Sequence, residues 1–182
     1  MANKYKNYRE VDILNALPGY ANNAWLTPTD FIDTFAETVG TAAIGNKFTI
    51  DDSIVYKTNK GSLAIYCAPK SVEGDGEVVG ETHAKRFRWT PKIIMVGDGP
   101  ELLEIVSNIL NTTFLLHVTN GECEGTQKLQ FGSKCTPCVV DAGSFKSGNL
   151  GDGRKQYEFT MEAFNKYFYN GTLTDYDPTL DV

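Results

Sequence analysis

Gln156-Tyr157-Glu158-Phe159-Thr160-Met161-Glu162 is the stretch on which the reading of the fold turns. Tyr157, Phe159 and Met161 fall on one side of an extended chain, and Glu158, Thr160 and Glu162 on the other, because successive strand side chains point to opposite faces. That alternation marks a half-buried strand with a core beneath it and water above. Sheets with one wet face are antiparallel, so the chain starts as a mainly β expectation.

Other extended stretches extend this reading outward. Thr113 to Val118 reads as a strand ended by the Asn120-Gly121 turn signal, with short strands at Lys128 to Phe131 and Cys138 to Val140. Ile93 to Val96 is a short apolar run, the pattern of a buried strand. Phe87 and Trp89 alternate with Arg86, Arg88 and Thr90, and Pro91 lacks the N–H that a ladder needs, which predicts an edge or bent strand. Pro69 to Glu81, rich in glycine and acid, reads as an exposed loop. Phe48 to Ile50, Ile54 to Tyr56 and Leu63 to Cys67 are further strands, with Asn59-Lys60-Gly61 as a hairpin turn.

Two segments carry helical spacing. Thr27-Pro28-Thr29-Asp30 has the order of a helix start, and Phe31, Ile32, Phe35 and Val39 follow on one face, so a helix is predicted over about 29–39. Gly97-Asp98-Gly99-Pro100-Glu101 opens a second helix over about 100–110, with Asp98 and Glu101 at capping-box spacing. Leu102, Leu103, Ile105, Val106, Ile109 and Leu110 give it a wide apolar face, which predicts a largely buried, central helix. The architecture expected is an antiparallel β-sandwich or barrel with helical additions, α+β in class. Residues 1–28 read as an N-terminal arm or loosely packed segment and 29–182 as one β-rich domain.

Composition bounds the function. The chain has 182 residues, 41% apolar and 22% charged, enough for one sizeable core. A net charge of −6 argues against general binding to nucleic acid or anionic membrane, which needs a positive excess. The first residues lack the apolar core of a signal peptide and no stretch reaches membrane-span length, so synthesis and folding in a cytosol are expected, with no membrane binding. Cys67, Cys123, Cys135 and Cys138 are then expected as free thiols.

No pattern of chemistry gathers support. Cys135-Thr136-Pro137-Cys138 has dithiol spacing, but a redox pair needs its first sulfur at a helix N-terminus, and strand and turn residues follow here. Zinc wants two close cysteine pairs or added histidines, whereas His83 and His117 are isolated and Cys123 lacks a neighbour. His117 in its apolar strand reads as a core residue rather than a base. Asp51-Asp52 reads as a turn, and Glu101 with Glu104 as a helix first turn. Gly97 to Pro100 lacks the Lys-Ser/Thr of a phosphate loop and carries acids instead. No residue is therefore assigned a catalytic, cofactor-binding or metal role, no cofactor is expected, and the chain is not read as an enzyme. Lys85, Arg86, Arg88 and Lys92, interleaved with Phe87 and Trp89, fit either a nucleic-acid stacking surface or, as the negative balance favours, a basic edge whose available partner is the acidic 73–81 segment of another copy, a head-to-tail arrangement able to close into a ring.

From Gly76 to Leu173 the chain resembles phage tail-tube-like proteins of phages and prophages of Bacteroides-type bacteria. The resemblance is carried by Gly80-Glu81-Thr82-His83-Ala84-Lys85-Arg86-Phe87, the helix at 100–110, Cys135 to Asp141, and Arg154 to Glu162 with Tyr167 to Leu173. It implies a β-sandwich packed by a helix, with hairpins contributed to a shared inner barrel. It implies rings of six or more copies, in a virion tail tube or a neck ring, through which genomic DNA passes without specific binding. Other tail and neck proteins are the expected partners. The region before Asp30 departs from the family pattern. A small-molecule or carbohydrate-binding sandwich, using Trp25, Trp89 and Tyr167-Phe168-Tyr169 as stacking surfaces, is the alternative expectation.

Overall fold

The computed structural model describes residues 20–40, 43, 45–67, 72–96, 99–120, 127–147 and 155–177. In chain order the strands are β1 (Tyr20–Pro28), β2 (Ile32–Thr34), β3 (Thr49–Ile50), β4 (Val55–Tyr56), β5 (Leu63–Tyr66), β6 (Glu73–Val79) and β7 (Arg86–Val96). Helix α1 (Pro100–Ile109) follows, then β8 (Phe114–Asn120), β9 (Lys128–Phe131), β10 (Val139–Lys146), β11 (Gln156–Glu162) and β12 (Lys166–Tyr169). A six-stranded sheet has the order β3-β12-β9-β8-β1-β5, a four-stranded sheet the order β10-β11-β7-β6, and β2 pairs with β4 as a ribbon. All pairings among these strands are antiparallel except β3 with β12. The mainly β, α+β sandwich expected from the sequence is the fold.

The main core lies between the two large sheets. Ala24, Leu26, Phe114, Leu116, Val118, Leu129 and Phe131 of one meet Ile93, Met95, Tyr157, Phe159 and Met161 of the other. The strand that opened the sequence reading behaves as written: Tyr157, Phe159 and Met161 are buried, while its even-numbered residues are half-exposed. Two bridges stitch the sheets toward a barrel, Cys67 to Met95 and Phe114 to Cys138. A second core, Ile32, Ile50, Ile54, Leu115 and Tyr169, covers the far face of the six-stranded sheet beside the β2–β4 ribbon. β8 is thus buried on both faces, which is why Phe114-Leu115-Leu116 is apolar without alternation.

The helix expected over 29–39 does not form. Only Thr29–Phe31 makes a single 3-10 turn, and Ile32–Thr34 pairs with β4. The capping residue is committed elsewhere: Thr27 Oγ1 lies 2.6 Å from Ser62 Oγ, buried at the end of β1. Thr29 Oγ1 is held 2.6 Å from Thr113 Oγ1. Strand pairing on both sides of the turn leaves no room for a helix to propagate.

Residues 20–28, placed in an arm by the sequence, instead form β1, between β8 and β5; residues 1–19 lie outside the described residues. Only Ala24 and Leu26 of β1 enter the main core, so its apolar signal is short and set in a polar context.

The loop expected over 69–81 is also corrected, since Glu73–Val79 is β6. Its period is real but unusual. Glu73, Asp75 and Glu77 oppose Lys92, Thr90 and Arg88, while Gly74, Gly76 and Val78 oppose Pro91, Trp89 and Phe87. A Cβ on Gly76 would sit 2.6 Å from the Trp89 ring, so glycine is what lets the indole lie against the strand. β7 is likewise an internal strand, not an edge. Trp89 and Ala163 exchange backbone hydrogen bonds, and the register holds through Lys92 opposite Thr160. Pro91 therefore falls opposite Met161 at a hydrogen-bonded position, so its missing N–H leaves one bond of the ladder unmade.

α1 forms over nearly the expected range, but it is not largely buried. Val106 and Ile109 face the core with Leu102 packed against it, whereas Leu103 and Leu110 are 52% and 50% exposed. Gly99 caps it and Pro100 occupies the first turn; Asp98 lies outside the described residues.

Candidate functional site

The four-stranded sheet is the part of the molecule that the fold leaves unfinished. β11 and the second half of β7 cover the core, but β6 and β10 are exposed along almost every residue. β6 and β10 are also the sheet's two outer strands, so each presents a row of backbone donors and acceptors. The bond of Cys138 to Phe114 ends just before β10 begins, and beyond it no strand among the described residues pairs with that edge. Apolar side chains are exposed on both hairpins: Val78 and Phe87 at the β6–β7 tip are 56% and 53% exposed, and Phe145 of β10 is 46% exposed.

The two faces of this sheet differ in chemistry. The outer face is laced with ion pairs that cross strands: Glu158 takes Lys92 Nζ at 2.8 Å and Lys146 Nζ at 3.0 Å, and Glu77 pairs with Arg88. These cations hold the Glu158 carboxyl below its ordinary range. Glu77 is thus engaged with Arg88 of its own chain, while Glu73 and Asp75 lie opposite Lys92 and Thr90. The inner face of the tip is apolar and cationic instead. Phe87 stacks on Trp89 at 5.6 Å, and Lys166 Nζ lies 4.6 Å from the Trp89 centroid. Burial alone pushes the Lys166 ammonium below its ordinary pKa.

The cysteine pair sits where no redox reaction is favoured by its surroundings. Gly132, at φ +90°, begins a turn tied by Ser133, Thr136 and Asn165, with Asn165 Nδ2 donating to Thr136 Oγ1 at 2.6 Å. Cys135 is exposed on that turn and Cys138 is buried in the β8 bridge, where desolvation drives its thiol pKa well up. Cys67 is likewise raised to about 11 by burial. Both effects disfavour the thiolate. Cys123 lies outside the described residues, and among those described no group of three metal-ligating side chains comes together.

His117 is fully buried, as read. Its Nε2 lies 3.1 Å from Gln130 Oε1 and its ring meets Tyr169 at 4.9 Å, but Nδ1 has no partner. Burial pushes the imidazole down to about 3, so it is neutral, with Nε2–H donating to Gln130. Asp51 accepts from Asn170 Nδ2 at 2.7 Å, a turn contact, and Glu104 is exposed on α1. The aromatic residues named for sugar stacking are divided between the sheets, with Trp25, Tyr167 and Tyr169 on one face of the six-stranded sheet and Trp89 on β7. Tyr169 is buried, its hydroxyl accepting from Ile54 N–H and donating to the Thr172 carbonyl. Trp25 Nε1 donates to Asp175, and one side of Trp89 is covered by Gly76. One cleft of about 540 Å³ lies between the 33–38 segment and the 133–135 turn, lined by Asp33, Glu37, Lys134, Cys135 and Tyr167. The sequence offered no signal for it, because its walls come from three distant segments.

No family model, curated protein or solved structure matches this chain. Among the described residues no helix is long and apolar enough to cross a membrane.

Proposed function

We propose that this chain is a structural subunit of a phage tail tube or of a tail or neck ring, and that copies of it join into a ring of six or more around a channel for DNA. The observation that carries the reading is the four-stranded sheet with two exposed outer strands. Its strands alternate in direction from β10 through β11 and β7 to β6. An even number of alternating strands lets β6 of one copy meet β10 of the next in antiparallel register, so the sheet continues without a break. Rotation that closes makes a ring and buries edges that a single copy leaves open. The polar, ion-paired outer face is then the wall of the channel. The net charge of −6 disfavours lasting contact with DNA, and the resemblance over Gly76 to Leu173 supports the same reading. Its place is the virion tail, after synthesis in the host cytoplasm, and the reading assigns no catalysis.

The test is sedimentation across a concentration series, combined with electron microscopy of the purified protein and of particles from the source. Rings or tubes are expected. A protein that stays monomeric at high concentration and is absent from tail-like particles overturns the reading. A Pro substitution at Phe145, whose N–H faces away from β11 on the outer edge strand β10, should abolish assembly while leaving the monomer folded.

A further inference from the structure

Edge pairing leaves a second pair of surfaces unexplained, and they complement each other. On the inner face of the β6–β7 tip, Val78 and Phe87 are exposed beside Trp89. That face holds no carboxylate from β6, because Glu73, Asp75 and Glu77 all point to the outer face, opposite Lys92, Thr90 and Arg88. It carries cations instead: exposed Lys85 at the tip and half-buried Lys166 over the indole. Among the described residues Lys166 forms no ion pair with a carboxylate, although burial has partly stripped it of water. A desolvated, uncompensated cation beside exposed aromatic surface fits an apolar segment that brings an acid.

α1 is such a segment. Leu103 and Leu110, seven residues apart, form an exposed apolar flank beside the buried Val106–Ile109 stripe. Its sequence, Pro100-Glu101-Leu102-Leu103-Glu104-Ile105-Val106-Ser107-Asn108-Ile109, has two acids and no base. Glu104 is exposed one residue from Leu103. Each patch is open to solvent in the single chain.

We propose that the inner face of the β6–β7 tip receives α1 of a second copy, with Phe87 and Val78 packed on Leu103 and Leu110, and Glu104 set against Lys85 and Lys166. The contact is head-to-tail, uses surfaces distinct from the β6 and β10 edges, and rests on the reading that the chain self-assembles.

A benzophenone side chain placed at position 87 tests it, with peptide mapping of the products from assembled protein. Cross-links between copies are expected within 100–110. Glu104→Lys should raise the concentration needed for assembly about tenfold, and Lys85→Glu in the same chain should restore most of that loss. Circular dichroism of each variant as a monomer checks that folding is intact, and both sites are exposed. Particles whose cross-links fall only at 139–146, or a Glu104→Lys protein that assembles like the parent, overturn this contact while self-assembly stands. A parent protein that never assembles overturns both.

Discussion

β8 and β6 are both seven-residue strands, yet one is buried on both faces and the other is exposed on nearly all of its length. β8 has β1 and β9 on its flanks, the main core on one side and the Leu115–Tyr169 core on the other. Among the described residues β6 has one strand neighbour, β7, and two of its seven positions are glycine. The difference teaches where this protein's free energy is settled. Within the six-stranded sheet β8 is closed on both flanks, whereas the outer strands β6 and β10 of the four-stranded sheet each have one strand neighbour among the described residues and are largely exposed.

The largest effect that would break the comparison comes from the closed side. Phe131→Ala empties a fully buried site where β9 meets Trp89, and should cost about 3–5 kcal/mol of unfolding free energy by denaturant titration. The same truncation at exposed Phe145 should stay within about 0.5 kcal/mol in the monomer while weakening assembly. Equal losses at the two sites would show that both sheets are closed within the monomer.

Acid should act through the closed side as well. The folded pKa of His117 is about 3 against an ordinary 6.5, so the unfolded chain binds more protons between those values. Its contribution is complete above pH 6.5 and is lost as pH falls toward 3, at about 1.4 kcal/mol per pH unit within that window. Stability curves for the parent and His117→Leu should therefore converge on acidification; parallel curves would sink the assignment.

A smaller loss is expected on the open side. Gly76→Ala sets a methyl 2.6 Å from the Trp89 ring, which must swing away, at about 1–3 kcal/mol. Trp89 fluorescence should shift with it, and an unchanged spectrum would mean the ring never lay on that strand. The smallest stability effect is at the cysteine turn. Cys135→Ser should be neutral within about 0.5 kcal/mol. In the native protein Cys135 should react with a maleimide at once, and Cys138 only after unfolding. Equal labelling rates would place Cys138 at the surface.

Much of this was legible in order. β11 was visible because its period of two is also a period of polarity, and α1 because Pro100 and its apolar spacing agree. β6 was hidden because its alternation is acid against glycine, which looks like a loop until Trp89 and Arg88 are seen on the facing strand. The apolar residues Phe31, Ile32, Phe35 and Val39 suited a helix, but Ile32 is held by Tyr56 across the ribbon and Thr27 by Ser62. The open edges themselves could not be read, because an edge is defined by which strand is missing beside it.

By itself the sequence determined the class: alternating strands, one helix, an acidic balance and no convergent set of reactive groups. Those are local properties, set by side-chain spacing and charge along the chain. Only the tertiary structure decided that β1 enters the six-stranded sheet, that Glu73 and Glu77 lie opposite their own chain's Lys92 and Arg88, and that β6 and β10 end a sheet. Those outcomes depend on pairings between residues far apart in sequence, whose free energy comes from shared burial rather than from any local pattern.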